Sequence, residues 1–534
     1  MSTADSTAIP VDGTFAGAAT AGNISDVEAS RFLAQASMGA SRAEMASVQQ
    51  LGYSAWLAAQ FALPQSQSRW EALLAQGFDT PQNQGSELGF DVASWRKLIA
   101  SPDTLRQRMA FSLSEILVVG ISGLNGGWKA FSAAHYQDIL ENNAFGNFRQ
   151  LLDEVTLSPA MAEWLTYRGS VKANVTRGSL PDENYAREIM QLFTIGLVDL
   201  NLDGTPLLVN GVAQATYTQD DVMGLARVWT GWNWDTAGLT GAVALATPAF
   251  QGRSLHQVPN SCETGEKRFL DIIIPAGTDG VNSKRIALDA LFKHSNVGPF
   301  IGKQLIQRLV TSNPSPAYVA RVASAFNSDE TGVRGNLQAV LKAILLDDEA
   351  RNAANIALPT FGKLREPILR FTQWAKAFAA SSPSNAWLIG NTSDPTTRLG
   401  QSPLRSPTVF NFFRPGYTPP NTATGKAGLL APEFQITNAN SVVGYVNFMQ
   451  RVISSGVGDI VGNYSTLLAL ARDPAALVGE INTVLAAGQV SAANVNTMVS
   501  ALTSMPSSTA ANLNNRVYAA LLLVMAAPDY IVQK

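Results

Sequence analysis

From about residue 26 onward, apolar side chains recur every three or four positions, the period of an α-helix rather than of a strand. In "TLRQRMAFSLSEILVVG" (104–120), Leu105, Met109, Leu113, Ile116 and Leu117 fall on one face. The period also marks 26–50, with a turn at Gly39-Ala40-Ser41 and a capping box from Ser41 to Glu44. It returns at 135–143, 148–165, 217–232, 283–293, 299–311, 317–327, 337–346, 364–378 and through most of 436–534. A chain ruled by this period must bury helix against helix. The expected fold is therefore mainly α, a large multi-helix, single-core architecture with a small β-hairpin insertion and long ordered loops.

Two stretches depart from the period. "LVDLNLDGTPLLVNG" alternates apolar and polar residues around Asp203-Gly204, which predicts a hairpin near 197–212. Residues 380–435 are rich in Pro, Ser and Asn, and fifty such residues in a folded chain read as a covering loop rather than a linker. The expected organisation is a flexible tail over 1–25, a helical core over 26–440 and C-terminal helices over 441–534 packing on it.

Composition excludes several functions. The net charge of −3 leaves no basic field for nucleic acid. No apolar run reaches the ~18 residues of a membrane span; the longest is 518–528. The first residues carry no basic region and no apolar core, so they do not read as a signal peptide. Charged residues make up 15%, against about 25% in ordinary soluble domains, which suits an extracytoplasmic protein. Cys262 is the sole cysteine, so no intrachain disulfide forms. It reads as an incidental thiol in a polar loop, since a nucleophilic Cys needs an electropositive or base-bearing site. His135, His256 and His294 stand in no ligand spacing. Nucleophile-elbow, phosphate-loop and dinucleotide motifs are absent from the sequence.

The richest chemistry lies in "PDENYAREIMQLFTIG" (181–196). Ser179 and Asp182 suit a capping box, with Pro181 in the first turn. On a helix, Glu183, Asn184, Arg187, Glu188, Gln191 and Thr194 share an arc of about 140°. Glu183 and Arg187 stand at the spacing of an exposed ion pair, and the pattern is that of an ordinary amphipathic helix. If the arc faces a cleft, Glu183 and Glu188 become the candidate general acid and base, with Arg187 orienting substrate. Asn184 and Gln191 would then bind substrate.

Arg106, Arg108, Glu115, Lys267, Arg308, Lys363, Arg365, Glu366 and Arg405 are embedded in apolar blocks. They either tie helices together as buried ion pairs or converge on an anion, with Lys267 and Arg365 the candidate substrate contacts. "DLNLDG" matches the opening of a calcium loop through Asp199, Asn201 and Asp203. Its twelfth position is Asn210 rather than Glu, and a plain turn explains Asp203-Gly204 equally well. Trp229, Trp232, Trp234, Phe410, Phe412, Phe413 and Tyr417 are either core or a stacking surface for sugar rings.

Nine blocks in order carry a resemblance. They are "ASRFLAQASMG", "LRQRMAFSLSEI", "FGNFRQLLDEVTLSPAM", "PDENYAREIMQLFTIG", "YTQDDVMGLARVWTGW", "TGEKRFL", "VGPFIGKQLIQRLV", "FGKLREPILRF" and "SPLRSPTVFNFF". Together they resemble the DUF1800 family over nearly the whole chain from Asp26. The resemblance implies a bacterial, exported protein, periplasmic or extracellular, often encoded beside DUF1501 proteins. It implies no particular reaction. Where relatives commonly show His-Asp this chain has Cys262-Glu263, and where they show His-Pro-Ala-Met it has Ser158-Pro159. A His-based mechanism is not expected at either place. Two readings follow: an enzyme using the 183–191 face on a polymeric or anionic substrate, or a non-catalytic binding or assembly protein working with a DUF1501-type partner.

Overall fold

The computed structural model describes residues 23–534 apart from 175, 177 and 240–244; most of the expected tail lies outside them. The described residues form twenty-four α-helices and four two-stranded antiparallel sheets, so the chain is mainly α with small hairpins. Local sequence starts many helices. Ser25 with Glu28, Ser41 with Glu44, Ser68 with Glu71 and Thr218 with Asp221 all close capping boxes.

Helix Thr104–Ser114 is shorter than its period suggested, and it is buried almost all round. Leu105, Met109 and Leu113 enter the core as expected, but Gln107 and Arg108 are buried too. A helix enclosed on every side must pair its polar groups internally. The buried apolar side chains fall into two clusters. One runs from Ile24 to Ala350 with a few later residues; the other is built mainly from helices Pro367–Ala377, Ala439–Ser455, Pro474–Ala486 and Ala510–Ala526. Helix Leu88–Ala100 joins them, giving Phe90 to the first and Trp95 to the second. The chain end returns as strand Val532–Gln533, paired with Lys363–Leu364.

Residues 380–435 are held by side chains. Arg405 grips Asp91 at 2.8 Å and also pairs with Glu87, while Asn313 exchanges two hydrogen bonds with the Leu430 backbone. In the stretch expected as a hairpin near 197–212, the regular ladder is Leu208–Val209 against Val212–Ala213. Its turn is Asn210-Gly211, both at positive φ, rather than Asp203-Gly204. Asp203-Gly204 makes a second, smaller turn, bridged by Leu200 and Pro206.

Candidate functional site

The helix expected from Pro181 begins three residues later, as Asn184–Gln191. Ser179 does not cap it; its backbone pairs with Asn174 instead. Asp182 takes over at the entry, accepting from the Asn184 N–H at 2.9 Å and from the Thr166 hydroxyl at 2.9 Å. Tyr185, Ala186, Ile189 and Met190 are buried as the period required. Thr194 lies beyond the helix end and is buried, so it leaves the polar arc.

The remaining polar residues divide. Glu183 and Arg187 form the expected ion pair at 3.2 Å, and Gln219 bridges them, accepting from Arg187 at 3.0 Å and donating to Glu183 at 2.8 Å. Glu188 is only 7% exposed, and its Oε2 has no hydrogen-bond partner among the described residues. Burial pushes its carboxyl up, against the pull of Arg187. Gln191 accepts from the Tyr217 hydroxyl at 2.8 Å, and Asn184 is exposed beside Thr166.

A cleft of about 670 Å³ lies beside this helix and opens to solvent. Its walls are the segment ending at Glu183, helix Gln219–Ala226, and the hairpin of Lys267–Phe269 with Ile272–Ile274. Gly224 lets helix and hairpin meet, because a Cβ there would lie 1.7 Å from the Arg268 carbonyl oxygen. The hairpin turn places Leu270 and Asp271 at positive φ, unfavourable for both. Asp221 holds that turn: besides capping Thr218, its carboxylate accepts from the Leu270 N–H at 2.7 Å.

Five acids line the cleft (Glu183, Asp220, Asp221, Glu266 and Asp271) against Arg227 and Arg268. Arg268 is paired to Glu266 at 2.6 Å. The cleft is therefore acidic, and three large apolar side chains stand exposed in it: Leu180 at 72%, Ile273 at 52% and Met223 at 40%. Of the predicted site residues, Glu183 alone lines it; Asn184, Arg187, Glu188 and Gln191 do not.

Lys267 also lies elsewhere. It is fully buried behind the hairpin, donating to the Gly265 carbonyl at 3.3 Å, and burial lowers its ammonium pKa. Cys262 is buried rather than loop-exposed. It accepts from Gln257 at 2.8 Å, and burial pushes its thiol up, the opposite of an activated nucleophile. Arg365 is remote, in the second cluster, bonded to Gln373 at 2.5 Å and the Leu485 carbonyl at 3.0 Å over the Tyr530 ring.

In the calcium-like stretch the side chains of Asn201 and Asp203 bond within the turn. Asp203 accepts from the Thr205 N–H and hydroxyl, Asn201 donates to Thr205, and Asn210 sits at the hairpin tip. No group of three His, Cys, Asp or Glu side chains suited to a metal occurs among the described residues. The aromatic candidates do not share one platform: Trp229 packs edge-on to Tyr185, Trp234 on Phe250 under Arg168, and Phe410 under Arg414.

Several of the embedded charges meet opposite charges. Arg108, Glu115, Arg308, Lys363 and Glu366 converge in the interior with Glu433, which sequence reading did not single out. Lys363 donates to Glu366 at 3.3 Å, lies 3.0 Å from Glu433 and donates to the Arg308 carbonyl at 2.7 Å. Gln401 bridges Glu366 and Glu115. Burial and neighbouring Glu366 push Glu115 well above the carboxylate range. Burial also opposes the charge on Glu366, but Lys363 and other partners hold it down to about 2. Three cations and three carboxyls of this cluster tie separate segments together.

Sequence reading also missed Met223 and Gly224. Both carried a signal: an apolar residue off the buried stripe of Val222 and Leu225, and a glycine inside a helix, which marks close backbone approach.

Fold and cleft together define a large helical protein with a solvent-open, acidic, partly apolar cleft. The chain belongs to the DUF1800 family: the profile described as "Protein of unknown function (DUF1800)" matches residues 31–532. No curated protein and no solved structure matches it.

Proposed function

We propose that this chain is a binding or assembly protein whose cleft takes a polypeptide segment presenting an apolar side chain flanked by basic ones. The observation that carries this is the exposure of Leu180, Met223 and Ile273 inside an acidic rim. Apolar surface ringed by polar groups is the signature of a partner site, and five acids against two arginines favour a cationic partner over an anionic substrate. Catalysis by Glu183 with Glu188 is the weaker reading, because only the first lines the cleft. The test is fluorescence anisotropy with a labelled Lys-Leu-Lys-Leu-Lys peptide. Saturable binding is expected, weakening as salt rises above about 0.1 M and falling about tenfold in Met223→Asp. Binding that is absent, or equal in both proteins, overturns the proposal.

A further inference from the structure

The hairpin at 206–213 projects as a spur, every residue of it exposed. Val209 and Val212 are cross-strand partners on one face, and Leu208 and Ala213 on the other. Leu208, Val209 and Val212 are each more than half exposed, and Leu207 precedes them at 41%. No Asp, Glu, Lys or Arg occurs from Gly204 to Gln219. The Asn210-Gly211 turn, with both residues at positive φ, is the form that matches strand twist, so the spur has a defined shape.

A groove on a protein partner covers one face of such a ribbon and leaves the other wet. Here both faces are apolar, so the medium that suits the spur surrounds it. The nearest backbone pairing to a charged residue is Leu207 with Asp199. Three further residues at ~3.3 Å each carry the tip roughly 10 Å past it. That reach matches the ~5–10 Å to which apolar surface sinks at a bilayer interface. We propose that the 206–213 spur inserts into the outer hydrocarbon of a lipid surface and docks the protein there without spanning it. The spur itself carries no positive charge, and Lys303 at its base is balanced by Asp203, so docking to zwitterionic lipid needs no anionic headgroup.

The test is flotation of the full chain with phosphatidylcholine vesicles, with and without phosphatidylglycerol, comparing wild type with the double variant Val209→Asp, Val212→Asp. Wild type should float with both vesicle types, insensitively to salt. The variant should lose at least about tenfold in partitioning, as expected when two charges enter an apolar interface. Its thermal midpoint and its binding of the cleft peptide should not change. Three outcomes overturn the proposal: wild type fails to float with phosphatidylcholine; the variant floats equally; or light scattering shows a wild-type dimer that the variant loses while neither floats, which assigns the spur to a second copy.

Discussion

Glu183 and Glu188 stand five residues apart, yet they meet opposite surroundings. Glu183 is half-exposed at the cleft rim, bound by Arg187 and Gln219. Glu188 is buried, with one carboxylate oxygen lacking a partner among the described residues. A general acid and base must reach one substrate, and these two carboxyls do not open into one space.

Glu188 should behave as a group that folding disfavours in its charged form. Its folded pKa lies above the ordinary 4.5. Below that value both folded and unfolded states are protonated and nothing is lost. As pH rises, the unfolded chain ionises first, and stability falls until the folded pKa is passed. Glu188→Gln should therefore match wild type near pH 4 and melt at the same temperature or about 1–2 °C higher at pH 7.5. A lower midpoint at pH 7.5 would show that the charged form is stabilised.

Lys363 should be far more costly to remove. It holds Glu366 and Glu433 in the interior. Lys363→Met leaves both without their cation, a loss of about 3–5 kcal/mol in denaturant unfolding. Adding Glu433→Gln should recover part of it. No recovery would mean that the three groups are not one network.

Much of the helical frame was legible because burial follows period. Val222, Leu225 and Ala226 are buried within 217–232, where the period predicted a helix, and Ser41 caps as Glu44 at +3 predicted. What was not legible depends on distant contacts. The segment 181–183 stays outside the helix because Ser179 pairs with Asn174, while Asp182 donates its N–H to the Ser170 hydroxyl and accepts from Thr166. Glu433 joins Lys363 across seventy residues, which no local pattern encodes. The cleft is likewise a product of tertiary packing, since its walls come from three separated segments.

Gly224 should be essential to that packing. Gly224→Ala forces the hairpin at Arg268 away from the helix, since the new Cβ overlaps its carbonyl. Unfolding should show a loss of about 1–3 kcal/mol, with weaker peptide binding. Gly479→Ala, in an exposed helix position with open space around it, should be neutral or stabilising by about 0.4–1 kcal/mol. Equal effects at the two positions would refute the close-approach account.

The central claim, that the acidic cleft is a binding site for a basic, apolar-bearing segment, is tested most directly by a crystal structure of the chain with the Lys-Leu-Lys-Leu-Lys peptide. The account predicts a Leu side chain seated between Met223 and Ile273, with a Lys ammonium beside Asp220 or Asp271. Peptide bound elsewhere while this cleft stays free of it would contradict the claim.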